Sequence, residues 1–158
     1  MTGRVVILAG SPSDGEWVDK IASNLEGLGV DHVKRIGSAH RVPEHVLSLL
    51  RHYDDDDVPT VFITVAGMSD ALSGLSDANV VSPVIACPPK SMSFAGLDVL
   101  SSMRTPPGVA PIVALEPANA AIGAAKILGL LDSKTRRSVA DDQEVRAQRV
   151  LDADRELP

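Results

Sequence analysis

The 158-residue sequence predicts an α/β fold: a three-layer sandwich with a central parallel sheet, extended by a C-terminal helix. Three observations carry this. Short apolar runs alternate along the chain with stretches of helical periodicity. Glycine, proline or small polar residues follow the apolar runs, where a buried strand has to stop. Aromatic residues are only 3% of a chain that is 44% hydrophobic, so Ala, Val, Leu and Ile must fill the core. Small aliphatic side chains suit closely packed layers.

The elements can be taken in order. Arg4 to Ala9 reads as a fully buried strand that stops at Gly10-Ser11-Pro12-Ser13-Asp14. Ser13 and Glu16 have the spacing of a capping box, predicting a helix that buries Val18, Ile21, Leu25 and Leu28 and ends at Gly29. His32 to Ile36 is a second strand. Pro43 opens a second helix with Val46, Leu49, Leu50 and Tyr53 inward. The run Asp54 to Asp57 reads as a solvated connector, because consecutive carboxylates do not converge on one ion without a turn. Thr60 to Ala66, Ser82 to Ala86 and Ala110 to Leu115 are the remaining strands. Short helices are expected near Asp70–Asp77 and Gly96–Ser102. Pro117 to Leu131 is an alanine-rich helix whose small side chains permit close approach to a sheet or a second subunit. The charged segment from Ser133 to Leu157 is weakly periodic and predicts a C-terminal helix. The reading is thus one α/β domain over residues 1–131, of the flavodoxin-like or Rossmann-like kind. A helical extension over 132–158 packs on that domain or on a neighbouring subunit.

Net charge is −6, which argues against nucleic acid as a partner. The single cysteine, Cys87, excludes an intrachain disulfide and a cysteine-cluster metal site, and is read as a buried small hydrophobe. No apolar run reaches membrane-spanning length and no signal-peptide layout is present, so no membrane partner is expected and the cytoplasm is the expected location.

In a sheet of this kind the site lies beyond the carboxyl ends of the strands. Those ends carry Ser11 to Asp14, Ser38 to Arg41, Gly67 to Asp70 and Pro88-Pro89. The Gly10–Asp14 turn into a helix is suited to an anion through its backbone N–H groups, although Ser13 and Asp14 could equally be caps. It is neither a phosphate-binding Gly-Lys-Ser/Thr loop nor a GxGxxG fingerprint. His40 is the candidate proton carrier, since an imidazole titrates near neutrality. Arg41 beside it offers a fork of donors for phosphate or carboxylate. His32, His45 and His52 have no partner spacing and read as surface residues, and no metal is called for. Arg104 could bind an anion or seal a subunit contact. The absence of a Gly-x-Ser-x-Gly elbow argues against a serine hydrolase. A receiver domain would want acidic residues after the first strand and an aspartate ending the third, and neither is present.

These segments together resemble the PurE family, whose members handle carboxylation of aminoimidazole ribonucleotide. The resemblance runs through Gly10-Ser11-Pro12-Ser13-Asp14, Ser38-Ala39-His40-Arg41, Ala66-Gly67 with Ala71-Leu72-Ser73-Gly74, and Ile85-Ala86-Cys87-Pro88-Pro89. It continues through Ser93-Phe94-Ala95-Gly96-x-Asp98, Ser101-Ser102-x-Arg104-x-Pro106-x-Gly108 and Leu115-Glu116-Pro117-x-Asn119-Ala120-Ala121. The Cys-Pro-Pro and Leu-Glu-Pro segments are similar to the second class, which uses free CO2 without ATP. The first class rearranges a carbamate and carries Gly-Gly-x-x-His-Leu-Pro-Gly, whose histidine is missing from Gly67–Gly74 here. In this loop the second class usually has Gly-Arg-Ser-Asn. Met68 replaces the arginine and Asp70 the asparagine, which removes a cation and adds an anion where a carboxylate would sit. Arg41 stands where that class commonly has lysine.

The resemblance implies a catalytic His40, with the substrate held by Ser11, Ser13, Asp14, Ser38, Ala39, Arg41, Ala66, Gly67, Met68 and Ser69. The phosphate would meet Ser11 and Ser13 with Arg41 nearby, and Asp14 would take the ribose hydroxyls. CO2 would lie at Gly67–Ser69. It implies no cofactor, a ribonucleotide and CO2 as small-molecule partners, and a homo-octamer with sites at subunit junctions. The alternatives are a diverged enzyme acting on another azole or nucleotide, the carbamate mutase, and a non-catalytic nucleotide-binding module.

Overall fold

The computed structural model describes residues 3–157. Five strands, β1 (Arg4–Ala9), β2 (Asp31–Ile36), β3 (Thr60–Val65), β4 (Val84–Ala86) and β5 (Ile112–Val113), form one sheet in the order β2-β1-β3-β4-β5. Every pairing is parallel. The helices are α1 (Gly15–Gly27), α2 (Pro43–Asp54), α3 (Ala71–Asp77), α4 (Leu100–Met103), α5 (Pro117–Leu128) and α6 (Ser133–Arg155).

Strand alternation divides the core into two layers. Val5, Ile7, Val61, Ile63 and Ile85 face α1 and α5. Val6, Leu8, Phe62 and Val84 face α2 and α3 through Val46, Leu50, Tyr53 and Leu72. The alanines of α5 do what their size permits: Ala120, Ala121, Ala124 and Ala125 are all completely buried. Helix α6 is tied on by Val139, which joins the α1–α5 layer, and by Ser138 Oγ, which donates to Leu28 O at 2.8 Å. Beyond Val139 that helix is almost wholly exposed.

Several expected boundaries are corrected by polar groups that compete for the backbone. The cap of the first helical segment is Ser11, not Ser13: Ser11 Oγ accepts the Ser13 N–H at 3.2 Å and opens a 3-10 turn, Pro12–Asp14, that leads into α1. Strand β4 starts at Val84 rather than Ser82 because the Val81 and Ser82 N–H groups go to the Asp54 carboxylate and Pro83 has none. Strand β5 shrinks to two residues because the Ala110 N–H goes to Asp77 Oδ2 and Pro111 has none. Helix α5 stops at Leu128, three residues earlier than expected, with Gly129 as its C-cap.

The expected Gly96–Ser102 helix is two pieces. A 3-10 segment, Ser93–Val99, contains Phe94, Ala95 and Gly96 in left-handed conformation, and α4 follows it. The aspartate run is more than a solvated connector, since Asp54 binds the two N–H groups above and Asp56 pairs with Arg4 at 2.6 Å. His32 is not a surface residue: its side chain is only 14% exposed and packs near Glu26.

Candidate active site

The strand ends are locked in place by ladder bonds that continue past the strands. Gly10 N donates to Val65 O at 2.8 Å, Gly37 N to Ala9 O at 2.9 Å, and Cys87 N to Thr64 O at 2.8 Å. The loops after β1, β2, β3 and β4 therefore begin from fixed points on one edge. Gly37 is required there, since a Cβ would lie 2.8 Å from Val46 Cγ2 on α2. The turn that follows is closed by Val42 N donating to Ser38 O at 2.9 Å, and it holds His40 and Arg41 exposed at its tip.

These loops enclose an open cleft of about 810 Å3. All eleven residues expected from the sequence line it: His40 with Ser11, Ser13, Asp14, Ser38, Ala39, Arg41, Ala66, Gly67, Met68 and Ser69. Sequence reasoning missed Lys90, which also lines it. Its position directly after the strand-end Pro88-Pro89 was the available signal. Arg104 is not among the lining residues.

On the first wall, Ser13 Oγ donates to Ser11 Oγ at 2.8 Å, so the two hydroxyls converge. Partial burial raises the Asp14 carboxyl beside them from its ordinary value, against a smaller opposing effect of its bond to the Ser11 backbone. Beside this wall, the loop after the neighbouring strand β3 turns through Met68, a non-glycine residue at φ +63° that is 81% exposed. Met68 thus presents an uncharged thioether side chain at the mouth.

Asp70 behaves differently from the expectation of an anion facing the substrate. It is buried and caps α3, Oδ1 accepting the Ser73 N–H at 3.0 Å. Oδ2 accepts from Ser102 Oγ at 2.8 Å. The Asp70 N–H donates to Ser101 Oγ at 3.0 Å, which stitches the β3 loop to α4. Its charge is taken up by the scaffold, and Asp70 does not line the cleft.

Cys87 is fully buried at the end of β4, and burial pushes its thiol up to about 11, which leaves it a neutral packing group. Among the described residues no group of three or more His, Cys, Asp or Glu side chains is arranged to hold a metal ion. No helix among them is long and apolar enough to cross a membrane.

A family model described as AIR carboxylase matches residues 4–149. The chain belongs to the AIR carboxylase family. A phosphoribosylaminoimidazole carboxylase of Treponema denticola is 48% identical over 157 residues, covering 99% of each chain. One from Archaeoglobus fulgidus is 49% identical over 154 residues, 98% of this chain and 84% of that protein. A human bifunctional phosphoribosylaminoimidazole carboxylase/succinocarboxamide synthetase is 39% identical over 140 residues, 86% of this chain but 33% of that protein. The crystal structure of Treponema denticola PurE superposes with a TM-score of 0.96 over 98% of both chains at 47% identity. The AIR carboxylase family and its flavodoxin-like sheet are thus established for this chain.

Proposed function

We propose that this protein carboxylates aminoimidazole ribonucleotide with free CO2, reversibly and without ATP. The observation that carries the reading is the convergence of His40, Arg41, the Ser11–Ser13 hydroxyl pair and the Gly67–Ser69 loop on one cleft, in a chain close to named carboxylases over its full length.

In this account the 5′-phosphate sits at Ser11, Ser13 and the adjoining N–H groups, with Arg41 nearby, and Asp14 takes the ribose hydroxyls. Ser38 and Ala39 form the wall against the nucleotide. The electron-rich imidazole carbon attacks CO2 held at Ala66, Gly67, Met68 and Ser69. That carbon then bears both a proton and the new carboxylate. His40 removes the proton and aromaticity returns; in the reverse direction His40 delivers it. Proton transfer of this kind contributes roughly 10²–10⁴-fold. The residues need no metal or cofactor for these steps.

The missing histidine of the Gly67–Gly74 loop favours direct carboxylation over carbamate rearrangement. Self-association into an octamer is part of the reading. It is supported by Met92, Phe94, Leu97, Leu100 and Met103, large apolar side chains exposed beside the cleft that a second copy would cover. A second reading, a relative acting on another azole or nucleotide, is favoured by Met68 alone, because Asp70 is turned away from the cleft.

The test mixes the protein with aminoimidazole ribonucleotide and bicarbonate and follows absorbance of the carboxylated product. Product formation without ATP is expected. No product at high bicarbonate, with the protein folded, overturns the carboxylase reading. If Met68→Arg then creates activity on this substrate, the wild type is the diverged relative.

A further inference from the structure

We propose that Lys90 is the carboxylate-binding residue of the cleft, the side chain that distinguishes the carboxylated nucleotide from the uncarboxylated one; this rests on the reaction proposed above. Among the described residues lining the cleft, Arg41 and Lys90 are the two fixed cations and Asp14 is the carboxylate. The cations belong to different walls. Arg41 stands on the turn after β2. Lys90 is carried by Pro88-Pro89 after β4, and that dipeptide lies against the β3 loop: a Cβ on Gly67 would meet Pro89 Cδ at 3.9 Å. Lys90 thus follows a segment packed against the loop where CO2 is placed, with β3 between its strand and β1, whose loop takes the phosphate.

Met68, 81% exposed in that loop, carries no charge. The positive charge on this wall therefore comes from Lys90. Its Nζ pairs with Glu116 Oε1 at 2.5 Å, with the two side chains 68% and 48% exposed. An ion pair this exposed contributes little and exchanges readily. Glu116 precedes α5 and is anchored by the backbone, its carbonyl accepting the N–H groups of Asn119 and Ala120. Glu116 thus parks the lysine beside the cleft until a substrate carboxylate takes its place.

During carboxylation the imidazole carbon forms a bond to the CO2 carbon. One C–O π pair moves onto oxygen, and the ring proton leaves to His40. The negative charge so formed is at the carboxylate oxygens, where an ammonium stabilises it most. The uncarboxylated nucleotide has no carboxylate to offer Lys90, and its phosphate is held at Ser11 and Ser13, so the lysine acts on the product side of the equilibrium.

The experiment measures binding of both nucleotides by calorimetry to wild type, Lys90→Met, Lys90→Arg and Glu116→Gln. Losing one charge-assisted contact weakens binding by about tenfold. Lys90→Met is expected to lower affinity for the carboxylated nucleotide by about that factor, with affinity for the uncarboxylated nucleotide within about twofold of wild type. Lys90→Arg should retain the discrimination. Glu116→Gln should raise affinity for the carboxylated nucleotide, because the competing partner is weakened. An equal loss for both nucleotides in Lys90→Met, or no loss for either, overturns the proposal. Failure of the wild type to bind either nucleotide overturns the proposed function instead, so the two failures are distinct.

Discussion

Removing the Asp70 carboxylate tests whether that residue belongs to the scaffold or to the chemistry. In Asp70→Ala the α3 cap is lost, which costs about 1 kcal/mol. The hydroxyl of Ser102, itself 1% exposed, loses its acceptor. Stranding a buried polar group costs about 1–3 kcal/mol more. The sum is about 2–4 kcal/mol, and at roughly 2–4 °C per kcal/mol for a chain of this size the melting temperature falls by about 4–16 °C. Asp70→Asn keeps an acceptor for the Ser73 N–H and offers an amide to Ser102 Oγ, so its cost is limited to about 1 kcal/mol from the weakened charge-assisted bonds. Because the side chain is turned away from the cleft, turnover in Asp70→Asn stays within about twofold of wild type. Thermal and urea unfolding followed by circular dichroism measure the first part, and the carboxylation assay measures the second. An Asp70→Ala loss under about 0.5 kcal/mol, or a more than tenfold change in Asp70→Asn turnover, refutes the scaffold assignment.

Other predictions follow from single observations. His40→Asn should melt like wild type yet lose about 10²–10⁴-fold in turnover; unchanged turnover removes His40 from proton transfer. Met68→Gly releases the left-handed strain at φ +63° and should stabilise the protein by about 0.5–1 kcal/mol in urea titrations, the entropy of the new glycine offsetting the remainder. The Cys87 thiol ordinarily titrates at 9.0 and is raised to about 11 in the folded chain, so the folded state holds this proton more tightly. Its contribution is complete below the unfolded value and is lost as pH rises through the folded one, a fall of about 2–3 kcal/mol. Cys87→Ala should flatten that alkaline limb in unfolding measured across the same pH range.

The strands and the cleft were legible in the sequence because both follow from local pattern. Val5 to Ala9 is a continuous apolar run and Val61 to Val65 is broken only by Thr64, the pattern of a parallel sheet buried on both faces. The polar residues that end such runs come together at one edge by topology alone. What escaped reading depends on long-range partners. Nothing near Ser82 in the chain announces that Asp54, 28 residues earlier, takes its N–H. Nothing near Asp70 announces Ser102, and without that contact its carboxylate looks like a substrate-facing charge. Ser13 and Glu16 had capping-box spacing, yet Ser11 was better placed once Pro12 fixed the turn. Lys90 follows the strand-end Pro88-Pro89 directly, but that position does not say which way the chain turns; the fold of the Pro88-Pro89 segment against Gly67 brings it to the cleft.

The central claim is that CO2 itself, not a carbamate, is the carbon donor. It is tested by giving one preparation aminoimidazole ribonucleotide with bicarbonate, and separately the N5-carboxylated nucleotide under CO2-free conditions, both without ATP. The account predicts carboxylated product from the first mixture and no direct conversion in the second. Rapid conversion of the carbamate, with none from aminoimidazole ribonucleotide and bicarbonate, contradicts it.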